Sequence, residues 1–274
     1  MPDPKELIAK AERFLKQQQN MYGDFSVNFS KQQPLAEPQS SEKAQDTEVD
    51  QVQEPSESYE ETAAKEQESV QPETKEEPEL STEQKIAACS TLEELHDLCK
   101  NADELRTDLD DTNLVFGVGD PQADLMVIGE APGYNEDQQG EPFVGDAGQL
   151  LDKIMDAIGF QRNDIYIANI LKHRPPNNRD PKPEEAAASL PYLLRQIELI
   201  DPKLILSVGK VSGNTLLETD TTLSDLRNQF HSFHGRELMV TYHPAALLYN
   251  QKYKRPTWED VQKLRKRYDE LGGK

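Results

Sequence analysis

Four side chains suited to recognition or catalysis are grouped around the ends of apolar runs in this sequence. Glu130, Asn169 and His243 each stand at the end of a separate apolar run, and Phe143 lies in a glycine-rich stretch without lysine or arginine. A carboxylate, an amide that donates and accepts, an imidazole and an aromatic ring together suit a flat heterocycle with mixed hydrogen-bonding edges. This combination predicts a nucleobase pocket rather than a phosphate site.

The elements that must position these residues follow from the order of the apolar patterns. Four apolar runs predict strands over 125–128, 165–170, 204–208 and 238–242. Apolar residues at helical spacing predict intervening helices over 150–158, 184–199 and 211–217. We therefore predict a three-layer α/β/α domain around a mostly parallel, four-stranded sheet, and "VFGVGD" leaves a further edge strand open. In such sheets, ligands bind beyond the carboxyl ends of the strands.

The charge distribution divides the chain. The net charge is -21, and residues 1–83 contain 20 Asp and Glu against 8 Lys and Arg. Residues 32–83 are rich in Glu, Gln, Ser and Pro, which predicts an acidic disordered linker. Residues 1–31 contain one short amphipathic helix, which packs on its own domain or docks to a partner protein. The remaining residues, 84–274, form the predicted catalytic domain.

Several classes of protein are excluded by their missing motifs. The chain lacks the phosphate-binding loop, the dinucleotide fingerprint, the hydrolase nucleophile elbow and the zinc-deaminase signature. Cys89 and Cys99 are the only cysteines, which is neither a disulfide framework nor a metal quartet. No stretch is long and apolar enough for a membrane span, and the first residues lack a signal-peptide core. We therefore expect a cytoplasmic protein.

Three stretches carry a resemblance to a known family. In chain order they are "GEAPGYNEDQQGEPFVGDAGQLL", "NILKHRPPNNRDPKPEE" and "TYHPAALL", and they resemble the signature motifs of family 4 uracil-DNA glycosylases. The similarity runs from about 92 to 271. It implies hydrolysis of the N-glycosidic bond of uracil in single- or double-stranded DNA after base flipping, leaving an abasic site for base excision repair. A catalytically inactive DNA-binding scaffold and a glycosylase for another deaminated base remain as alternatives.

The resemblance implies a catalytic role for three residues. Glu130 would orient the attacking water or stabilise the developing sugar cation, and Asn178 would face the sugar and the water. His243 would donate a hydrogen bond to the uracil oxygen that gains negative charge as the base leaves. Preorganised donors of this kind are worth about 3 to 4 kcal/mol each.

The resemblance implies a binding role for five further residues. Phe143 would stack on the uracil, Asn169 would distinguish its polar edge from that of cytosine, and Glu136 would exclude the methyl group of thymine. The backbone at Gly129 and Ala131 would approach the plane of the base.

A local basic face is needed, because an acidic protein does not generally bind nucleic acid. We predict DNA contacts by basic residues of the second motif and the C-terminal region: Lys172, Arg174, Arg179, Lys254 and Arg255. Leu247, Leu248 and Tyr249 are predicted to form the wedge that fills the space left by the flipped base. Relatives commonly have arginine at the position of Tyr249, so an aromatic stack replaces a charge there. With a DNA substrate, we expect association with the nucleoid and a repair or replication protein docked on the N-terminal helix.

The sequence departs from the family at its metal centre. Family 4 enzymes share four cysteines that hold an iron-sulfur cluster, and cluster ligation needs thiolates. Ala102, Leu105, His173 and Ser189 stand at those positions. We therefore predict that the chain has no cluster, metal or other cofactor, and that packing around Leu105 closes the gap.

Overall fold

Parallel pairing of apolar strands builds the centre of the fold. The structure is a computed structural model and describes residues 80–273. The strands are β1 Val118–Gly119, β2 Leu125–Gly129, β3 Tyr166–Asn169, β4 Leu204–Val208, β5 Phe230–Phe233 and β6 Arg236–Thr241. They form one sheet in the order β1-β3-β2-β4-β6-β5. The four predicted strands, β2, β3, β4 and β6, are parallel, and β1 and β5 pair antiparallel at the two edges.

The prediction of four strands was therefore too low, because each edge carries one more. Strand β1 is the edge strand that the sequence left open. Strand β5 escaped prediction because it is a half-exposed edge strand in which polar His231 and Ser232 interrupt the apolar pattern. It forms a hairpin with β6.

The three helices predicted between the strands are present with bounds that differ by a few residues. In chain order the helices are α1 Thr82–Ala88, α2 Leu92–Lys100, α3 Tyr134–Gln139, α4 Asp146–Ala157, α5 Pro183–Ile200, α6 Lys210–Leu216, α7 Leu223–Leu226, α8 Pro244–Tyr249 and α9 Lys254–Glu270. The three predicted helices correspond to α4, α5 and α6. None of the helices within residues 80–273 is long and apolar enough to cross a membrane. The predicted domain start at residue 84 falls inside α1, and the predicted N-terminal helix and nearly all of the linker lie outside the described residues.

The alternation of side chains along the buried strands produces two cores. Leu125 and Val127 of β2 point to the face covered by α4 and α9. Met126 and Ile128 point to the opposite face, which α5, α6 and α7 cover. The two covered faces confirm the predicted three-layer α/β/α architecture.

A third apolar cluster joins α1 and α2 to the outer side of α5. Leu105 is 1% exposed and packs there with Ala102, Cys99 and Tyr192, so the expected packing around Leu105 is confirmed. The Tyr192 hydroxyl donates to a carboxylate oxygen of Glu104 at 2.6 Å. This cluster fixes the chain that leads into β1 without taking part in the sheet.

Candidate active site

The register of the parallel strands brings the predicted residues together at the carboxyl ends of the strands, which form one end of the sheet. Gly129 pairs with Asn169 across β2 and β3, and the β4–β6 pairing ends at Thr241, two residues before His243. Beyond the strand ends, the Leu171 amide donates to the Glu130 carbonyl at 3.0 Å. The three chain segments that follow β2, β3 and β6 therefore meet.

A cavity of about 370 Å³ opens at this edge, within the range of small-ligand pockets. Its walls include the four side chains with which the sequence analysis began, together with that of Asn178: Glu130, Phe143, Asn169, Asn178 and His243. Ala131 and Glu136 line it as well. The convergence of these residues around one cavity agrees with the sequence analysis.

Phe143 forms one wall in a backbone conformation that is uncommon for a large side chain. Its φ is +54°, in the left-handed region. A Cβ at Gly129 would lie 2.6 Å from the Phe143 ring and 2.3 Å from Asn169 Oδ1, and a Cβ at Gly148 would lie 1.9 Å from the Phe143 carbonyl oxygen. Both glycines are therefore required for the close approach of Phe143.

Arg162 stabilises this conformation of Phe143 from outside the cavity. Its guanidinium donates to the Phe143 carbonyl at 3.2 Å and to the Pro142 carbonyl, and it forms an ion pair with Asp152 at 3.1 Å. The fork of the guanidinium suits two adjacent carbonyl oxygens. Sequence analysis missed Arg162, because its role arises only from the fold.

Two asparagines present unsatisfied polar atoms. Asn169 is 2% exposed, and its Oδ1 has no hydrogen-bond partner within residues 80–273. Asn178 Oδ1 accepts from Arg174 Nε at 2.7 Å, while Asn178 Nδ2 is buried without a partner among the same residues. A buried polar atom without a partner costs about 1 to 3 kcal/mol, so such atoms in the wall of a cavity are suited to bind a complementary polar group. The pair offers one acceptor and one donor.

His243 offers a neutral donor. Its Nδ1 accepts from the Ala245 amide at 3.2 Å at the start of α8, so the ring proton lies on Nε2. Burial lowers the pKa of His243 to about 4, so the ring stays neutral at physiological pH. The ring stands beside that of Phe143, with centroids 5.6 Å apart and planes inclined by 32°.

Glu130 offers a carboxyl group whose charge depends on pH near neutrality. Burial, together with the negative charge of Asp180, raises the pKa of Glu130 to about 7. A carboxyl group with a pKa near neutral pH is suited to proton transfer, and its ionised form is suited to stabilising positive charge nearby.

Glu136 braces the glycine-rich loop. Its two carboxylate oxygens accept from the amides of Val144, Gly145 and Gly133 at 2.9, 3.0 and 3.2 Å. These bonds join the two ends of the segment that contains Phe143. The predicted contact of Glu136 with the C5 position of a base is a separate role that stays a prediction.

Two of the predicted DNA contacts disagree with the structure. Lys172 is 0% exposed, and its Nζ donates to the Asn169 carbonyl at 3.0 Å and to Gln196 Oε1 at 2.5 Å. Leu247 is 2% exposed and packs inward. The predictions that Lys172 contacts phosphate and that Leu247 belongs to the wedge were wrong, because residue type and spacing do not show which face of a turn or helix is covered.

The remaining predicted DNA contacts have different surroundings. Arg174 lies over the Tyr134 ring at 5.1 Å, and the Arg179 guanidinium is bound to Glu185 at 2.6 Å and to Asp108 at 3.1 Å. Lys254, Arg255 and Tyr249 are exposed at the surface, and Leu248 is half-buried. Tyr249 also lines the cavity.

A buried ionic group, also missed in the sequence, holds the strand that leads to His243. Asp260 is 0% exposed and accepts from Thr241 Oγ1 at 2.7 Å and from Arg227 at 3.0 Å. The Arg227 guanidinium lies 5.1 Å from the centre of the Tyr242 ring. Helix α9 is thereby tied to the end of β6.

The residues at the cluster positions do not fit an iron-sulfur cluster. Ala102, His173 and Ser189 are buried, as is Leu105, and none of the four carries a thiol. The His173 ring is hydrogen-bonded to Thr112 at 3.0 Å. Cys99 lies in the third apolar cluster, where burial raises the pKa of its thiol to about 12. Within residues 80–273 no group of three or more His, Cys, Asp or Glu side chains is arranged to hold a metal ion.

Fold and cavity together define a class of protein. The protein is a three-layer α/β domain, and its cavity presents an acceptor, two donors, an aromatic ring and a carboxyl group. The uracil DNA glycosylase superfamily model matches residues 116–264. The chain belongs to this superfamily.

Curated relatives agree with this assignment. The chain is 42% identical over 167 residues to a type-4 uracil-DNA glycosylase of Pyrobaculum aerophilum, covering 57% of this chain and 84% of the relative. It is 41% identical over 174 residues to the type-4 enzyme of Archaeoglobus fulgidus, covering 61% and 86%. A type-5 uracil-DNA glycosylase of Thermus thermophilus is 27% identical over 153 residues, covering 47% and 68%.

Replacing Glu130 should change the pH dependence of stability. The folded protein holds the Glu130 proton up to about pH 7, whereas the unfolded chain releases it near its ordinary pKa of 4.5. This contribution to stability is present below pH 4.5 and is lost as the pH rises through 7. Glu130→Gln should therefore raise the free energy of unfolding by about 3 kcal/mol at pH 8 and leave it nearly unchanged at pH 4.5. Thermal or urea unfolding at both values measures this, with exposed Glu141→Gln as the control. Equal shifts at both pH values would contradict the prediction.

Replacing Arg162 should weaken substrate binding. Arg162→Met keeps the length of the side chain but removes the donors to the Pro142 and Phe143 carbonyls, so Phe143 loses its fixed position. We expect kcat/KM for a uracil-containing oligonucleotide to fall about 10-fold, mainly through KM. Asp152→Asn, which leaves the two carbonyl bonds in place, should have a smaller effect. An unchanged kcat/KM in a folded Arg162→Met protein would refute the role.

Proposed function

We propose that this protein is a uracil-DNA glycosylase, a hydrolase that cleaves the N-glycosidic bond of uracil in DNA in base excision repair. The observation that carries the proposal is the buried, unpartnered Oδ1 of Asn169 in the wall of the cavity. The type-4 and type-5 uracil-DNA glycosylases to which the chain is similar support the same activity.

The acceptor on Asn169 explains the choice of uracil over cytosine. Uracil carries a proton on N3, which can donate to Asn169 Oδ1. Cytosine presents a lone pair at N3, so both partners would be acceptors and the Asn169 oxygen would stay unsatisfied. Sites built to hydrogen-bond one group reject analogues that lack it strongly, because buried polar atoms are then left unpaired.

Shape and stacking supply the rest of the recognition. Phe143 stacks on the base, and the backbone at Ala131 lies against its plane. Gly129 does not line the cavity and instead leaves room for the Phe143 ring that does. Glu136, held by three amides, provides a rigid edge at C5 that has no room for the methyl group of thymine.

Cleavage transfers the electron pair of the bond between C1′ and N1 to the uracil ring. The negative charge develops on the carbonyl oxygen O2, where neutral His243 donates its Nε2 proton in a hydrogen bond. Ionised Glu130 stabilises the sugar cation and orients a water molecule, and Asn178 Nδ2 helps to hold that water. The water delivers hydroxide to C1′, and its proton leaves with the uracil anion, so the products are uracil and an abasic site.

The polymer is held outside the cavity. Lys254 and Arg255 contact phosphates, and Tyr249 with Leu248 occupies the space left by the flipped base. Arg174 and Arg179 act through Asn178 and the loop around it in addition to any contact with DNA. This substrate implies association with the nucleoid. Docking of a repair or replication protein on residues 1–31 stays a prediction from the sequence, because it falls outside the described residues.

Uracil excision should depend on one ionisation near neutral pH. The rate should rise as the pH passes through about 7, where Glu130 ionises, without a second step between pH 5 and 9 from His243. Asp180→Asn removes the negative charge beside Glu130, so the midpoint should move to lower pH. The measurement is formation of abasic sites in oligonucleotides that contain uracil, hypoxanthine or a mismatched thymine.

The same assay separates the alternatives. His243→Ala and Glu130→Gln should each lower kcat on uracil about 10²- to 10³-fold. Absence of abasic sites with the unmodified protein would favour a catalytically inactive scaffold. Faster release of hypoxanthine than of uracil would favour a glycosylase for another deaminated base.

We propose in addition that the protein works without an iron-sulfur cluster. The support is the donor set, since the four family positions carry Ala102, Leu105, His173 and Ser189. Protein purified without oxygen should contain less than 0.1 iron and sulfide per chain, on the order of background, because cluster ligation needs several thiolates. Iron and acid-labile sulfide in equal, stoichiometric amounts would overturn this proposal.

A further inference from the structure

The mouth of the cavity differs from a surface built for duplex DNA in its charge. Four carboxylates line the cavity with a single guanidinium among the described residues: Glu130, Glu136, Asp146, Asp180 and Arg179. The Arg179 guanidinium is already paired with Glu185 and Asp108. Lys172 is buried. A duplex carries one phosphate charge per about 1.7 Å of its length, so a cavity lined mainly by carboxyl groups opposes a duplex more than a single strand.

Two exposed tyrosines belong to the segments that build the cavity. Within residues 80–273, the exposed large hydrophobic side chains are those of Leu80, Tyr134, Tyr249 and Trp258. Tyr249 is 40% exposed, lines the cavity and ends α8, the helix that His243 caps. Six residues of helix place Tyr249 about 9 Å from His243 along the axis. Tyr249 therefore belongs both to the cavity and to the surface.

Tyr134 is the first residue of α3 and follows the cavity lining in the chain without itself lining the cavity. It is 39% exposed and follows Gly133, which lines the cavity. One face of its ring is covered by the Arg174 guanidinium at 5.1 Å, and Arg174 also donates to Asn178. Tyr134 is thus tied to the wall of the cavity by a side chain that restricts its movement.

We propose that Tyr134 and Tyr249 stack on the bases that flank the flipped uracil, and that the preferred substrate is single-stranded or locally unpaired DNA. This inference rests on the proposed function. Aromatic rings bind unstacked bases of any sequence, and each ring contributes through its flat face rather than through charge. In a duplex the flanking bases are paired and stacked, so they are not accessible to both rings.

The exposed cations near Tyr249 fit one strand. Lys252, Lys254 and Arg255 follow Tyr249 in the chain, and all three are exposed. Lys254 and Arg255 are the first two residues of α9. One strand can leave the cavity past Tyr249 and place its phosphates on these residues, while the acidic mouth gives a second strand no comparable contact.

The test compares the same uracil-containing oligonucleotide alone and paired with a strand that places guanine opposite uracil. The unmodified full-length protein should have a kcat/KM at least about 10-fold higher on the single strand, since no pairing or stacking has to be broken there. Tyr134→Leu and Tyr249→Leu remove the flat ring but keep an apolar side chain. Each should lower kcat/KM on the single strand about 5-fold or more. Tyr134→Phe and Tyr249→Phe keep the ring and are the matched controls, which should retain clearly more of this kcat/KM than the Leu variants.

A second readout does not depend on excision. A 2-aminopurine placed next to a stable abasic analogue in a single strand should lose fluorescence on binding when it stacks on a tyrosine. The Phe variants should keep that quenching, and the Leu variants should lose it. Leu variants equal to their Phe controls in both assays, or a duplex cleaved as fast as the single strand, would overturn the stacking proposal. Absence of excision by the unmodified protein on both substrates would instead count against the proposed function, and the fluorescence assay would still test the stacking.

Discussion

The pairing of Gly129 with Asn169 across two parallel strands is the constraint on which the site depends. It sets the end of β2 beside the end of β3, so that Glu130 and Asn169 open into one space. Since Gly129 has no side chain, the Phe143 ring and Asn169 Oδ1 can both approach its backbone closely. Any larger residue there would separate the stacking ring from the amide. The placement of Glu130, Phe143 and Asn169 around one cavity is thus built into the register of the sheet.

The same enclosure determines the charges in the cavity. Burial favours the neutral forms of both Glu130 and His243, with opposite effects on their pKa values. His243 remains a neutral donor throughout the physiological range, whereas Glu130 changes charge near its middle. One buried environment therefore contains a carboxyl group that ionises near pH 7 and an imidazole that is neutral at that pH. The cost is borne by the fold, because an ionised, buried carboxylate lowers the stability of the protein at neutral pH.

Cationic side chains outside the cavity wall hold residues that form the wall. Arg162 fixes the carbonyl of Phe143, Lys172 holds the carbonyl of Asn169, and Arg174 orients the amide of Asn178. Cations that the sequence associates with DNA phosphate, Lys172 and Arg174, are thus used to position asparagines. With these charges bound within the protein, the proposed contact with DNA relies on exposed aromatic rings and on the start of α9.

The sequence by itself determined the layer order, the four central strands and the group of residues at their carboxyl ends. Local hydrophobic periodicity fixes strands and helices, and parallel βαβ units bring their ends together, so Glu130, Asn169 and His243 could be named in advance. The covered faces of short elements could not be predicted, which is why Lys172 and Leu247 were placed at the surface and β5 was missed. The left-handed Phe143, the role of Arg162 and the unpartnered asparagine atoms follow from contacts between distant segments. Only the tertiary structure decides such contacts, because burial, orientation and pKa values depend on neighbours that are far away in the chain.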